Sequence, residues 1–176
     1  VEFSNNLGFE MVPFIRLLGG MVEAPVHFGN DANAAALGEY LAGGYNVKSF
    51  VMITLGTGIG SGIILDGKLI KGINYAASEL GHTVIKLGGE QCTCGRKGCF
   101  EAYASGPAIV AMAKDYVKGG KSAKFREIAG STGAITPAIV CQAAQEGDVV
   151  AKKIFERMGE YLGIGLSSVV NLLNPE

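Results

Sequence analysis

The segment Phe50-Val51-Met52-Ile53-Thr54-Leu55-Gly56-Thr57-Gly58-Ile59-Gly60-Ser61-Gly62-Ile63-Ile64-Leu65 opens on a near-continuous apolar run. Phe50 to Leu55 reads as a strand of the kind buried on both faces. Glycines follow at 56, 58, 60 and 62, and a second strand is expected from Gly62 to Leu65. Asp66-Gly67 then predicts a tight turn into a short return strand, Lys68-Leu69-Ile70-Lys71. Glycines two apart fall on one face of an extended hairpin. With no side chains there, backbone N–H groups can approach an anion such as phosphate. Tight β-turns would use the same glycines. A dinucleotide fingerprint is excluded, because the third glycine is not at the required offset.

Upstream of this hairpin, residues 11–18 predict a short helix stopped by Gly19-Gly20, and Val26-His27-Phe28 reads as a strand. His27 is then an ordinary strand histidine. Asn30-Asp31 stands where that strand becomes an alanine-rich helix, Ala32 to Ala42, ended by Gly43-Gly44. Asn or Asp at such a junction is the ordinary N-cap. The helix dipole would also keep Asp31 ionised at a strand end, where open α/β sheets bind ligands. The two readings are compatible.

Downstream, residues 86–99 lack periodicity and form a Gly- and Cys-rich loop that needs something to hold it. The remainder reads as helical. One helix covers 107–118, and Thr136-Pro137 supplies a cap and a first-turn proline for another ending at Gly147. Asp148 caps a long helix with an apolar stripe of Val150, Ile154, Met158, Leu162, Leu166, Val170 and Leu173, stopped by Asn174-Pro175. Gly159, Gly163 and Gly165 within it cost helix stability and predict the close approach of another element. Hairpin strands followed by helices indicate an α/β lobe.

Composition narrows the function classes. The 176 residues are a length for one domain or one lobe of a larger protein. With 48% apolar and 18% charged residues the chain is not disordered. A net charge of −1 and a pI near 6.2 supply no basic field for nucleic acid or anionic lipid. No apolar run reaches the length of a membrane span, and Val1-Glu2-Phe3-Ser4 is no signal peptide. Gly120-Lys121-Ser122 resembles the end of a P-loop, but Asp115 stands where a glycine is required.

Of four cysteines, Cys92, Cys94 and Cys99 lie within eight residues. Clustered thiols without a secretion signal point to metal rather than disulfides. With His82 they make a three-thiolate, one-imidazole set of the kind zinc takes in closed structural sites. The alternative is a reduced loop without metal. If one ring nitrogen of His82 binds the ion, the other must be N–H and can donate to a ligand hydroxyl. Glu79 and Glu101 flank this cluster as acceptors for hydroxyls or as a solvated face. Cys141, in an apolar helical stretch, is expected as a small buried hydrophobe.

Four motifs together resemble the ROK family of bacterial sugar kinases and sugar-responsive repressors. They are Asn30-Asp31-Ala32-Asn33-Ala34-Ala35, Leu55-Gly56-Thr57-Gly58-Ile59-Gly60, Glu79-Leu80-Gly81-His82 and Cys92-Thr93-Cys94-Gly95-Arg96-Lys97-Gly98-Cys99-Phe100-Glu101. The resemblance spans essentially all 176 residues. It implies an actin-like ATPase (ribonuclease H-like) lobe of the hexokinase type with a zinc-binding loop. Asp31 is then expected as general base for a hexose hydroxyl, and Asn30, Glu79, His82 and Glu101 as the hydroxyl-binding set. Gly56, Thr57, Gly58 and Gly60 would hold the ATP phosphates, bridged by Mg²⁺, and His82, Cys92, Cys94 and Cys99 a structural Zn²⁺.

The implied activity is ATP-dependent phosphorylation of a hexose, with glucose first among the candidates, in a cytoplasmic protein of carbohydrate metabolism. A homo-oligomer (dimer or tetramer) is expected when full length. A sugar-sensing repressor is the alternative, and only that reading brings in nucleic acid. The family's earlier Asp-x-Gly-Gly-Thr phosphate motif and its later adenosine segment are missing. Residues 1–176 are thus expected to be part of a sugar kinase, mostly its C-terminal lobe, and inactive alone.

Overall fold

The computed structural model describes residues 3–4, 8–120 and 124–176. Lys121 and Ser122 of the P-loop-like tripeptide lie outside the described residues. A small hairpin of β1 (Phe3–Ser4) and β2 (Phe9–Glu10) precedes α1 (Phe14–Gly19). Val26-His27-Phe28 is not a strand: it runs without ladder partners into α2 (Asp31–Ala42), and Phe28 stacks instead on Phe14.

The sheet is an antiparallel meander of β3 (Phe50–Leu55), β4 (Ile59–Leu65) and β5 (Lys68–Leu69), in that order. Leu55 pairs with Ile59, so Gly56-Thr57-Gly58 forms the turn. Asp66 and Gly67, both at positive φ, make the expected tight return. The strand expected from Gly62 starts at Ile59, with two glycines of the ladder inside it. Residues 50–54 are only half-buried and Leu55 is exposed, which corrects the doubly buried strand. Among the described residues β3 lies at the edge of this meander with one strand partner, unlike the interior strand of a parallel sheet.

The glycine ladder also divides. A Cβ at Gly60 would stand 2.9 Å from the Ala32 Cβ, and one at Gly62 would stand 2.3 Å from that of Ala36. These two glycines let α2 lie directly on β4.

Helices α3 (Glu101–Ala104), α4 (Gly106–Lys118), α5 (Lys124–Ala129), α6 (Pro137–Gln145) and α7 (Val149–Leu173) complete the fold. Ser105, Thr136 and Asp148 cap α4, α6 and α7 with side-chain oxygens that accept backbone N–H groups three residues on. One core joins α4 to α7 through Ile109, Ala113, Phe125, Val140, Ala143, Ala151 and Ile154. A second joins β4 to α3 through Ile59, Phe100 and Ala104. Met158 of α7 packs on both.

Three expectations for these helices need correction. The stripe on α7 holds through Leu162, after which Gly165 and Val169 face inward while Leu166 and Val170 are exposed. A spacing of four overshoots the 3.6-residue turn by about 40° each step, so the stripe rotates off the core. Only Gly165 meets a neighbour, the Phe100 ring; Gly159 and Gly163 face open space. Cys141 is exposed, because α6 buries Val140 and Ala143 and the residue after Val140 points about 100° away.

Candidate functional site

His82 ends a 3-10 turn, Leu80–His82, that packs on β4 so tightly that a Cβ at Gly81 would meet the Ile59 carbonyl. The loop beyond is pinned by short antiparallel bridges, Val84 to Cys99 and Gln91 to Lys97. Gly98, at φ +83°, passes against the Lys86 carbonyl where no side chain would fit. This folding brings His82, Cys92, Cys94 and Cys99 together, with one ligand atom from each all within 4.8 Å of one another. Cys92 Sγ lies 3.6 Å from His82 Nδ1, and Cys94 Sγ lies 3.6 Å from Cys99 Sγ. Tetrahedral zinc with bonds of about 2.0–2.3 Å needs ligand separations of about 3.5–3.8 Å, which these two pairs match, and the three-thiolate, one-imidazole set suits the ion chemically. The Arg96 amide holds the Cys94 thiol down at about 6, with help from its side chain, while burial pushes Cys99 up to about 12. His82 turns Nδ1 to the Cys92 sulfur.

Glu101 begins α3, two residues after Cys99. Its Oε2 accepts from the Ile59 N–H at 2.9 Å, and its Oε1 lies 4.0 Å from Cys92 Sγ. One carboxylate thereby joins the cysteine loop to the glycine turn. The turn is held from within by Gly56 N–H donating to Gly58 (3.0 Å), and from α4 by Gly106 N–H donating to Gly56 (2.9 Å). Thr57 stands exposed at its tip, at the mouth of a cavity of about 600 Å³ that also reaches Glu101 and Cys92. A second hollow of about 650 Å³ runs from Gly56 and Thr57 past Lys114 to Thr136.

Asn30 and Asp31 approach from the other side. Asn30 Oδ1 accepts from the Asn33 N–H at 2.9 Å, so it is the helix cap. Asp31 is exposed, its Oδ1 accepting from the Ala32 N–H at 2.9 Å. Since Ala32 packs on Gly60 and Gly81 on Ile59, α2 and the 3-10 turn lie on opposite faces of the same end of β4. Glu79 is exposed just before that turn. The structure thus gathers His82, Glu101, the cysteines and residues 56–58, with Asp31 and Glu79 flanking them.

Tyr103 was not anticipated. Its hydroxyl accepts from the Glu90 N–H at 2.6 Å, its ring lies 4.4 Å from that of Tyr161, and the Lys86 ammonium stands over the ring at 5.6 Å. It buttresses the cysteine loop. The available signal was an aromatic residue four positions beyond Cys99, within helical reach of the loop.

The ROK family model matches residues 1–176. The chain belongs to the ROK family. It is 38% identical over 173 residues to a glucokinase of Halalkalibacterium halodurans, covering 97% of this chain and 52% of that protein. It is 37% identical over 177 residues to a xylose repressor of Caldicellulosiruptor bescii, covering 100% of this chain and 44% of that protein. Among solved structures, the ROK family glucokinase of Streptomyces griseus in complex with glucose and AMPPNP superposes with a TM-score of 0.89 at 36% identity. That match covers 99% of this chain and 57% of the other. The chain spans about half the length of the curated relatives it matches. The actin-like ATPase fold of ROK sugar kinases is therefore its fold. Among the described residues, no helix is long and apolar enough to cross a membrane.

Proposed function

We propose that the protein containing this lobe phosphorylates a hexose with ATP, glucose to glucose 6-phosphate being the favoured reaction. The observation that carries this reading is the double engagement of Glu101. A carboxylate bonded to the Ile59 amide, beside Cys92 and an imidazole whose Nδ1 faces that thiol, puts hydroxyl acceptors and a donor next to a glycine turn. Glu79, His82, Glu101 and Asn30 bind sugar hydroxyls in this reading. Asp31, near the same strand end, takes the proton as the hydroxyl oxygen attacks the γ-phosphorus and ADP leaves.

Gly56, Thr57 and Gly58 offer a side-chain-poor turn to the phosphates, while Gly60 contributes chiefly by letting α2 bring Asp31 close. Mg²⁺ would supply charge neutralisation on the phosphates. Zinc on His82, Cys92, Cys94 and Cys99 would hold the loop that presents His82 and Glu101. Likeness to a glucokinase complexed with glucose and AMPPNP supports both substrates. A cytoplasmic homo-oligomer, dimer or tetramer, belongs to the same reading.

The full-length protein with Mg-ATP and glucose provides the test. Asp31→Ala should lower turnover by about 10²–10⁴-fold, the range for loss of a general base, while sugar affinity by calorimetry stays near wild type. Retained turnover would remove Asp31 from the mechanism. Likeness to a xylose repressor along the whole chain favours a second reading, a sugar-sensing repressor. Absent phosphorylation together with sugar-dependent DNA binding would establish it instead.

A further inference from the structure

One face of β4 is built of Ile59, Ser61 and Ile63, all buried, with Ser61 only 4% exposed. A hydroxyl between two isoleucines in a packed strand is costly unless it is bonded. Its bonds are specific. Ser61 Oγ donates to the Ser78 carbonyl and accepts from the Leu80 N–H at 3.2 Å. Those two peptide groups bracket Glu79, so one side chain grips the backbone on both flanks of that residue. Regular structure does not hold Glu79. Ser78 sits at φ +68°, Glu79 at φ −86° and ψ 58°, and the 3-10 turn that follows has no side-chain cap. The Glu79 carbonyl in turn accepts from the His82 N–H at 3.0 Å. The grip therefore fixes the backbone on both sides of Glu79, at the start of the turn that carries His82.

We propose that Ser61 is a positioning residue for sugar binding, acting through the backbone of Glu79 from inside the sheet. Ser61 bonds to no side chain of the cysteine cluster and to none of residues 56–58. His82 keeps its own backbone bond to Glu79 and its place among the three cysteines, so loss of the hydroxyl should fall on Glu79 and the sugar and spare metal and nucleotide. The role rests on Glu79 being a sugar-binding carboxylate, and the experiment separates the two claims.

In the full-length protein, Ser61→Ala should raise the sugar KM about tenfold, as expected for loss of a buried hydrogen-bond pair. The KM for ATP, zinc content by mass spectrometry and kcat at saturating sugar should stay within about threefold of wild type. Amide exchange at Leu80 should accelerate, and Ser61→Thr, which keeps the hydroxyl, should recover most of the lost affinity. Combined with Glu79→Gln, Ser61→Ala should add little further loss, because both act on one contact. If Glu79→Gln alone leaves the sugar KM unchanged, the sugar reading of Glu79 fails and takes the positioning role with it. If Glu79→Gln weakens sugar binding and Ser61→Ala does not, only the positioning role is overturned. Loss of zinc or of folding in Ser61→Ala, or a uniform fall in kcat with both KM values raised, would make Ser61 merely structural and also overturn it.

Discussion

Gly163 and Gly165 lie two residues apart in α7 and face different surroundings. A Cβ at Gly163 would meet open space, whereas one at Gly165 would stand 2.6 Å from the Phe100 ring. Gly163→Ala should therefore stabilise the chain by about 0.5–1 kcal/mol through reduced unfolded-state freedom. Gly165→Ala gains the same helix preference but overpacks a rigid ring, a cost of about 1–3 kcal/mol. Thermal melts should place the alanine at 165 below wild type and the alanine at 163 above it; equal melting points would mean the Phe100 contact is not tight. Sequence reading placed all three α7 glycines in one class, since local pattern says how much freedom a glycine has and not what faces it. Asn30 shows the converse. Its capping role was legible because an N-cap needs only the next three residues, and its Oδ1 accepts from Asn33.

At the scale of elements, the cysteine loop and the helical core are held by different physics. Residues 86–99 contribute no side chain to the α4–α7 cluster, which closes on Phe125, Val140 and Ile154. Stripping metal with a chelator should raise amide exchange across 82–99 and at Ile59, whose N–H depends on Glu101, while α6 and the first half of α7 keep their protection. Uniform loss of protection would mean that the metal group holds the whole lobe. The clustering of Cys92, Cys94 and Cys99 with His82 was legible from their spacing, because a donor set of this kind is what a tetrahedral ion would require of any connector able to reach it. The doubly buried β3 was misread for a definite reason. Apolar continuity reports side-chain character, whereas burial depends on how many strands and helices arrive, and β3 has one strand partner among the described residues.

Across the whole molecule, α7 is the member common to both cores. Its first half closes the α4–α7 cluster, its middle meets Phe100 and Ile59, and Met158 belongs to each. Met158→Ala should cost about 2 kcal/mol, the low end for a core methionine because the side chain is half-buried. It should also weaken the coupling of the two halves, so that calorimetry shows a broadened or split transition in place of a single cooperative one. A sharp transition shifted only in midpoint would place the coupling elsewhere, with the Tyr103–Tyr161 pair the next candidate.

What the amino-acid order settled alone was local or chemically self-specifying. It settled the hairpin turn at Asp66-Gly67, the caps at Thr136 and Asp148, and the clustering of one histidine and three cysteines as a set able to hold a metal. Each needs only a few neighbouring residues or a preference intrinsic to an ion. The tertiary structure decided which glycines are packing surfaces, which face of α7 is buried, and that Ser61 grips the backbone around Glu79. Those depend on contacts between segments distant along the chain, whose partners no periodicity encodes.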